Sequence, residues 1–453
     1  MRLSLALVAL LAAPALAAPA SPSPPTVVLD GARLVQAKQD LHKLPTPCKR
    51  ANTDQCGGNG NCNGNGNGNG NGNGPDCKKH DPKGLAAELK SIVGAADAWL
   101  TRGPWTVTAK TMDVPGGTKN DYASQAPYWW AKNWENPAVG NKCPYIQRDG
   151  IRNPEVDNYT DRLDGARMMT SSYQLALAWW YTDDAKYRKK AGEILREWFV
   201  KPETAMTPHL EHAQIVPCKN NGRAIGIIDF SQQYTAVLDA AALLGTKKDA
   251  LWSQADETAF KAWNSQFLTW LTDSKFGKEE LAAKNNHGTF AGMQIAGLAS
   301  YLGQYALARS TINDQLPRID TYIAADGSQP LETVRPTSFH YSTFTLVAYT
   351  RMALIGAHPK VGVDVWAHKA ANGAGIQKAI EYIIPAATEG QSKWPHTESH
   401  FDRFAAWDIV NYAADQGHQG AKAAVDKLEQ PPGGSHWNLR PAPEQLDSIL
   451  GAL

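Results

Sequence analysis

The sequence predicts an all-α protein. Segments with apolar residues at helical spacing follow one another at intervals of roughly 20 residues, with short turns between them. Strict apolar/polar alternation over strand length is nearly absent. An array of antiparallel helical hairpins builds either an open solenoid or a closed α/α toroid, and periodicity alone does not choose between them. With 453 residues, 43% hydrophobic and 20% charged, the chain has ample apolar side chain for a large core.

The chain opens with "MRLSLALVALLAAPALAAPA", which combines Arg2, a short apolar run and the small-x-small site Ala15-Leu16-Ala17. This reads as a secretory signal peptide over residues 1–18, so the mature protein is expected to be secreted and extracellular. No later stretch reaches the ~20 apolar residues that a membrane span needs, and no membrane association is expected. Residues 19–83 read as a Pro/Ser spacer followed by "CGGNGNCNGNGNGNGNGNGPDC". Alternating Asn and Gly cannot bury apolar area, so this segment carries no predicted element. Cys48, Cys56, Cys62 and Cys77 bracket it, with their pairing left open. Cys143 and Cys218 remain to pair across the main domain, as suits an exported chain. The spacing of the first four fits no zinc pattern.

Residues 84–453 read as one domain. Its helix candidates run from "GLAAELKSIVGAADAWL" through "RMMTSSYQLALAWWYT", "AKYRKKAGEILREWFV", "FSQQYTAVLDAAALLG" and "DETAFKAWNSQFLTWLTDS". They continue with "FAGMQIAGLASYLGQYALARSTI", "SFHYSTFTLVAYTRMALIG", "GIQKAIEYIIPAAT" and a terminal "PEQLDSILGAL". Two long irregular stretches interrupt them, residues 120–158 and 209–230. Ordered loops of this length inside a helical domain usually serve function.

The global charge is +1, from 45 basic and 44 acidic residues, so nothing suggests nucleic acid as a partner. A charged partner must be read by a local site. Fifteen Trp and fifteen Tyr suit sugar binding, although tryptophan is also ordinary core.

Three constellations could carry chemistry. In "KNNHGTF" (284–290), Asn286 and His287 stand where a helix should begin; the plain alternative is that an Asn caps that helix. In "DGSQPLETVRPTSFHYSTFTL" (326–346), Arg335, His340 and Tyr341 surround a Pro at a helix start. The alternative there is a surface pair of Glu332 and Arg335, with His340 and Tyr341 packed in the core. In the aromatic loop, Tyr128 and Trp129 offer flat faces beside Lys132 and Arg148, which suits stacked sugar rings and carboxylates. A structural flap is the alternative.

"KNNHGTF", "DGSQPLETVRPTSFHYSTFTL", "APYWW", "PYIQRDGIRNPE", "HAQIVP…NGRAIGIID" and "LALAWWYTDDAKY" occur in the order found in the alginate-lyase superfamily. The chain resembles that family, which acts on alginate or glucuronan, over roughly residues 84–415. The resemblance implies an incomplete α/α toroid without a β-sandwich domain. It also implies β-elimination of a 4-linked uronic acid polymer. The proton at C5 is poorly acidic because its carbanion sits beside a carboxylate, and neutralising that carboxylate stabilises the developing charge. By resemblance, Asn286, His287 and Arg335 face the carboxylate, and Tyr341 is similar to the family's catalytic tyrosine, with His287 the rival base. A free phenol has pKa about 10, and a neighbouring cation such as Arg335 would favour the phenolate. Gln214, Arg223, Arg148 and Tyr128 are substrate-contact candidates, and His340 orients Tyr341 or touches the sugar. No cofactor or metal is expected, and the protein is expected to be a monomer. Mannuronate-rich alginate is the first expected substrate and glucuronan the second. Two rivals remain, a glycoside hydrolase using two of Asp149, Glu155, Asp229 and Glu332, and a non-catalytic polysaccharide-binding protein.

Overall fold

The computed structural model describes residues 23–44, 81, 83–136 and 140–444. The signal peptide, the cysteines at 48–77 and most of the last helix candidate lie outside them. Helix α1 (Gly31–Lys43) starts at Asp30, whose carboxylate accepts from the amides of Ala32 and Arg33. It falls in the stretch read as spacer, and so does the buried run Val27, Val28 and Leu29. All three amides of that run donate to the buried carboxylate of Asp239. Residues 23–44 are therefore part of the fold, a correction to the spacer reading. The Pro/Ser composition hid four consecutive residues, Thr26 to Leu29, three of them apolar.

After α2 (Leu85–Trp99) come strands β1 (Ala123–Gln125), β2 (Trp129–Ala131) and β3 (Tyr145–Gln147), then helices α3 (Asp161–Thr182) and α4 (Ala185–Phe199). Strand β4 (His212–Ile215) precedes α5 (Ile228–Ser231), α6 (Tyr234–Leu244), α7 (Gln254–Asp273), α8 (Lys275–Ala282) and α9 (Asn286–Tyr301). The chain continues with α10 (Tyr305–Tyr322), α11 (Pro330–Thr333), α12 (Ser338–Ala357), α13 (Ile376–Glu389), α14 (Trp407–Asp415) and α15 (Gln419–Ala424).

Two concentric layers result. Helices α3, α6, α9, α12 and α14 pack side by side in that order as the inner layer. They are largely buried, and every residue of α6 is, as a helix enclosed on all faces must be. Helices α2, α4, α10, α13 and α15 each pack on an inner neighbour from outside. They are amphipathic: α4 buries Tyr187, Ala191, Leu195 and Trp198 on one face. The architecture is all-α, an incomplete α/α toroid. A C-terminal strap, residues 437–444, bridges its open side. Tyr181 of α3 donates to the Leu439 carbonyl at 2.7 Å, and Arg440 donates to Asp408 of α14 at 3.0 Å. Arg351 of α12 pairs with Glu444 at 2.8 Å, with both side chains fully buried.

The two irregular stretches hold the strands. β1 pairs in parallel with β4, and β2 pairs antiparallel with β3 to make a hairpin of the aromatic loop. Cys143 and Cys218 form a disulfide, as expected, and tie this hairpin to the turn after β4.

Candidate active site

The inner helices begin at one rim of the toroid, and a cleft of about 600 Å³ opens there. Arg162 from the start of α3, Gln232 just ahead of α6, Asn286 and His287 from α9, and Tyr341 and Phe344 from α12 line it. Four helix N-termini thus meet at the cleft, although the first amide of α9 is taken by Glu332 and the Phe339 amide of α12 by Glu398. The β2–β3 hairpin closes the other wall with Tyr128, Trp129, Gln147 and Asp149.

Asn285 occupies the N-cap position of α9 but makes no side-chain capping bond. The buried carboxylate of Glu332, on α11, accepts from the Asn286 backbone N–H at 2.8 Å and from its Nδ2 at 2.9 Å. Because a carboxylate only accepts, Nδ2 is the amide atom that faces it, and one further N–H of Nδ2 remains for a ligand. Burial raises the Glu332 carboxyl, while the Asn286 donors and the charges of Arg335 and His287 oppose that rise. The alternative reading, a surface pair of Glu332 and Arg335, therefore fails: Glu332 is buried and holds Asn286. His287 directs Nδ1 to Glu280 of α8 at 2.7 Å. The glycine that follows is forced. A Cβ at Gly288 would meet the Ala283 carbonyl oxygen at 2.1 Å and Arg318 Nη1 at 2.6 Å.

Arg335 and Tyr341 lie against each other, the guanidinium carbon 3.8 Å from the ring centre. Arg335 also grips Asp149 through Nε and Nη2 at 3.2 and 3.1 Å. The Tyr341 hydroxyl is 3.2 Å from that of Tyr128. Burial pushes the Tyr341 phenol well above its ordinary range and Tyr128 adds to this, whereas Arg335 pulls it down. Arg335 thus acts in the expected direction, but burial outweighs it. The His340 ring stacks on Phe344 at 5.8 Å and meets Tyr341 edge-on at 5.2 Å; burial pushes its imidazole down.

A hydrogen-bonded floor joins the rest. Gln214, at φ 54°, accepts from Arg223 Nη2 at 2.6 Å and donates to Asp229 at 3.2 Å. Asp229 also accepts from Tyr122 and Ser124 and lies 3.9 Å from Arg162. A glutamine held in the left-handed region is strained, and such strain clusters at functional sites.

The family model for alginate lyase matches residues 106–394, which span both irregular stretches and the four helix starts. The chain belongs to the alginate lyase family. It is a polysaccharide lyase. A solved alginate lyase from Bacteroides ovatus is 29% identical, with TM-score 0.76, covering 92% of this chain and 98% of that one. Alginate lyase A1-III from Sphingomonas species A1 is 15% identical with TM-score 0.48, covering 77% and 94%. No curated protein matches the sequence.

In this alginate-lyase chain, Asn286, His287, Arg335 and Tyr341 meet in one cleft with Tyr128, Trp129, Gln214, Arg223 and His340. Two candidates do not join them. Arg148 lies over the rings of Trp130 and Trp134 at 5.6 and 5.2 Å. Strand geometry explains this: Trp129 pairs with Gln147 and both line the cleft, so the next residue points to the opposite face. Lys132, just past β2, is exposed and does not line the cleft. Sequence reasoning missed Arg162, Glu280 and the role of Glu332. Arg162 carried a signal, since a cation in the first turn of a helix opposes the dipole and needs another reason to be there. Among the described residues, no helix is long and apolar enough to cross a membrane.

Proposed function

We propose that the protein is an exported lyase that cleaves a β-1,4-linked polyuronate by syn β-elimination, with mannuronate-rich alginate first and glucuronan second. The observation that carries this reading is the convergence of an amide, an imidazole, a guanidinium and a phenol at the rim where four helices begin. The substrate's C5 carboxylate would take the free N–H of Asn286 and the guanidinium of Arg335, displacing Asp149. Both donors strengthen as negative charge moves onto that carboxylate in the transition state. The Tyr341 phenolate would remove the C5 proton and the resulting phenol would return it to O4, because both lie on one side of the sugar in mannuronate and glucuronate. Trp129 and Tyr128 give the rings flat surfaces. The Cys143–Cys218 bridge and the N-terminal sequence support export.

A hydrolase needs two carboxylic acids flanking the bond. Among the described residues lining the cleft, Asp149 is the sole carboxylate, and it is paired with Arg335. The test is ultraviolet absorbance with polymannuronate, polyguluronate and glucuronan supplied separately. A rise with polymannuronate or glucuronan is the expected result. New reducing ends without absorbance would replace the lyase reading by hydrolysis.

A further inference from the structure

Glu280 plays no part in the chemistry above, yet it is built into the site. It lies in the last turn of α8, 1% exposed, and Oε1 meets His287 Nδ1 at 2.7 Å. Its Oε2 is buried with no hydrogen-bond partner, so the hydrogen bond this carboxylate makes is to His287, while the Arg223 charge acts on it through space. A buried carboxylate with one partner grips that partner hard, since losing it strands the charge. The helix that carries Glu280 is itself clamped. Arg318, from α10, donates through Nη1 to the Ala283 carbonyl at 2.5 Å and through Nη2 to the Leu281 carbonyl. These are the last carbonyls of α8, where a cation belongs.

We infer that Glu280 is a positioning residue of the lyase site, fixing the plane and tautomer of His287 so that Nε2 is the nitrogen presented to the sugar. The inference rests on the lyase reading for its kinetic consequence but not for its geometry. The imidazole has two nitrogens, and the partner of one decides what the other offers. With Nδ1–H given to Glu280, only Nε2 remains for the cleft that His287 lines. A neutral ring then shows a lone pair there and a protonated ring shows an N–H. Unanchored, the ring could turn and offer either nitrogen. The link also explains the length of the α8–α9 connection: Glu280 and His287 are seven residues apart, and Gly288 lets the two helices close on each other.

The test uses the full mature chain in two arms. Nitrogen-15 NMR of the wild-type imidazoles, with His287→Gln to identify its signals, should show Nδ1 of His287 protonated across neutral pH. A neutral ring carrying its proton on Nε2 would overturn the proposal, because Glu280 would then be the donor. In the second arm, Glu280→Leu keeps the volume without the acceptor. It should lower kcat about tenfold or more, as removal of such supporting partners does, with KM little changed, and Glu280→Gln should recover most of the loss. Wild-type kcat in a folded Glu280→Leu protein would overturn the proposal. The NMR arm needs no Glu280 variant and stands even if Glu280→Leu does not fold. If the wild type yields no unsaturated product from any polyuronate, the lyase reading fails while the NMR arm still decides the role of Glu280.

Discussion

In the proposed reaction Tyr341 is the base, and its surroundings set the expected pH response. Burial holds the phenol protonated beyond its ordinary range. A base that must lose a proton becomes available only as pH rises, so kcat/KM is expected to climb through neutrality into the alkaline range. A pH–rate profile that falls from pH 7 upward would remove the phenol from the base role. Tyr341→Phe should lose on the order of 10³ in kcat, the scale of general acid–base catalysis, while the variant still binds oligouronate by calorimetry. Asn286→Ala should cost about 10²–10³ in kcat, as loss of one transition-state donor does. If instead it lowers the melting temperature sharply and spares the rate, Asn286 serves only as the anchor for Glu332. These residues were picked out by motifs that resemble the family's, and the proposed reaction suits their types: an amide, an imidazole, a guanidinium and a phenol around a carboxylate. Glu280, Glu332 and Arg162 were not, because nothing in the chain before folding says which buried acid will face which polar neighbour.

The helix start is the element that organises the site. The stretch "KNNHG" looked like a cap followed by a helix, and the boundary was right, but the cap comes from another element. Glu332 on α11 satisfies the first amide of α9, and Arg318 satisfies the last carbonyls of α8. Gly288→Ala tests this packing, because its Cβ would press on the Ala283 carbonyl and the Arg318 guanidinium. A loss of about 1–3 kcal/mol is expected, the range for overpacking, read from denaturant unfolding, and kcat should fall with it because Asn286 and His287 move with the helix start. Most long helices were legible from apolar spacing, but the run 290–312, read as one segment, is two helices broken between Tyr301 and Tyr305. Helix α1 was not, since its Pro/Ser neighbourhood resembled a spacer. The hairpin of the aromatic loop was not, since its strands are three residues each and too short for alternation to register.

At the scale of the whole molecule the toroid is held by groups far from the reaction. The buried pair Arg351–Glu444 joins α12 to the C-terminal strap, and Arg351 also donates to the carbonyl of Gln232, a residue of the cleft wall. Glu444→Ala should therefore destabilise the fold by about 3–5 kcal/mol, the cost of stranding a buried charge, as read by urea unfolding. The all-α class was legible from periodicity, and closure into a toroid came only with the family resemblance. That residues 27–29 and 437–444 bind the inner layer was legible in neither. The convergence of helix N-termini has one more consequence, for how the enzyme meets its polymer. A net charge of +1 gives the chain almost no long-range field, ionic screening damps local fields over a length of about 8 Å at physiological strength, and helix dipoles fade within the first turn. The polymer is held on arrival rather than drawn from a distance. Its encounter rate should stay near the unsteered range of about 10⁵–10⁶ M⁻¹s⁻¹ and change little between dilute buffer and brine, so salt-rich surroundings would cost this enzyme little speed in finding its substrate.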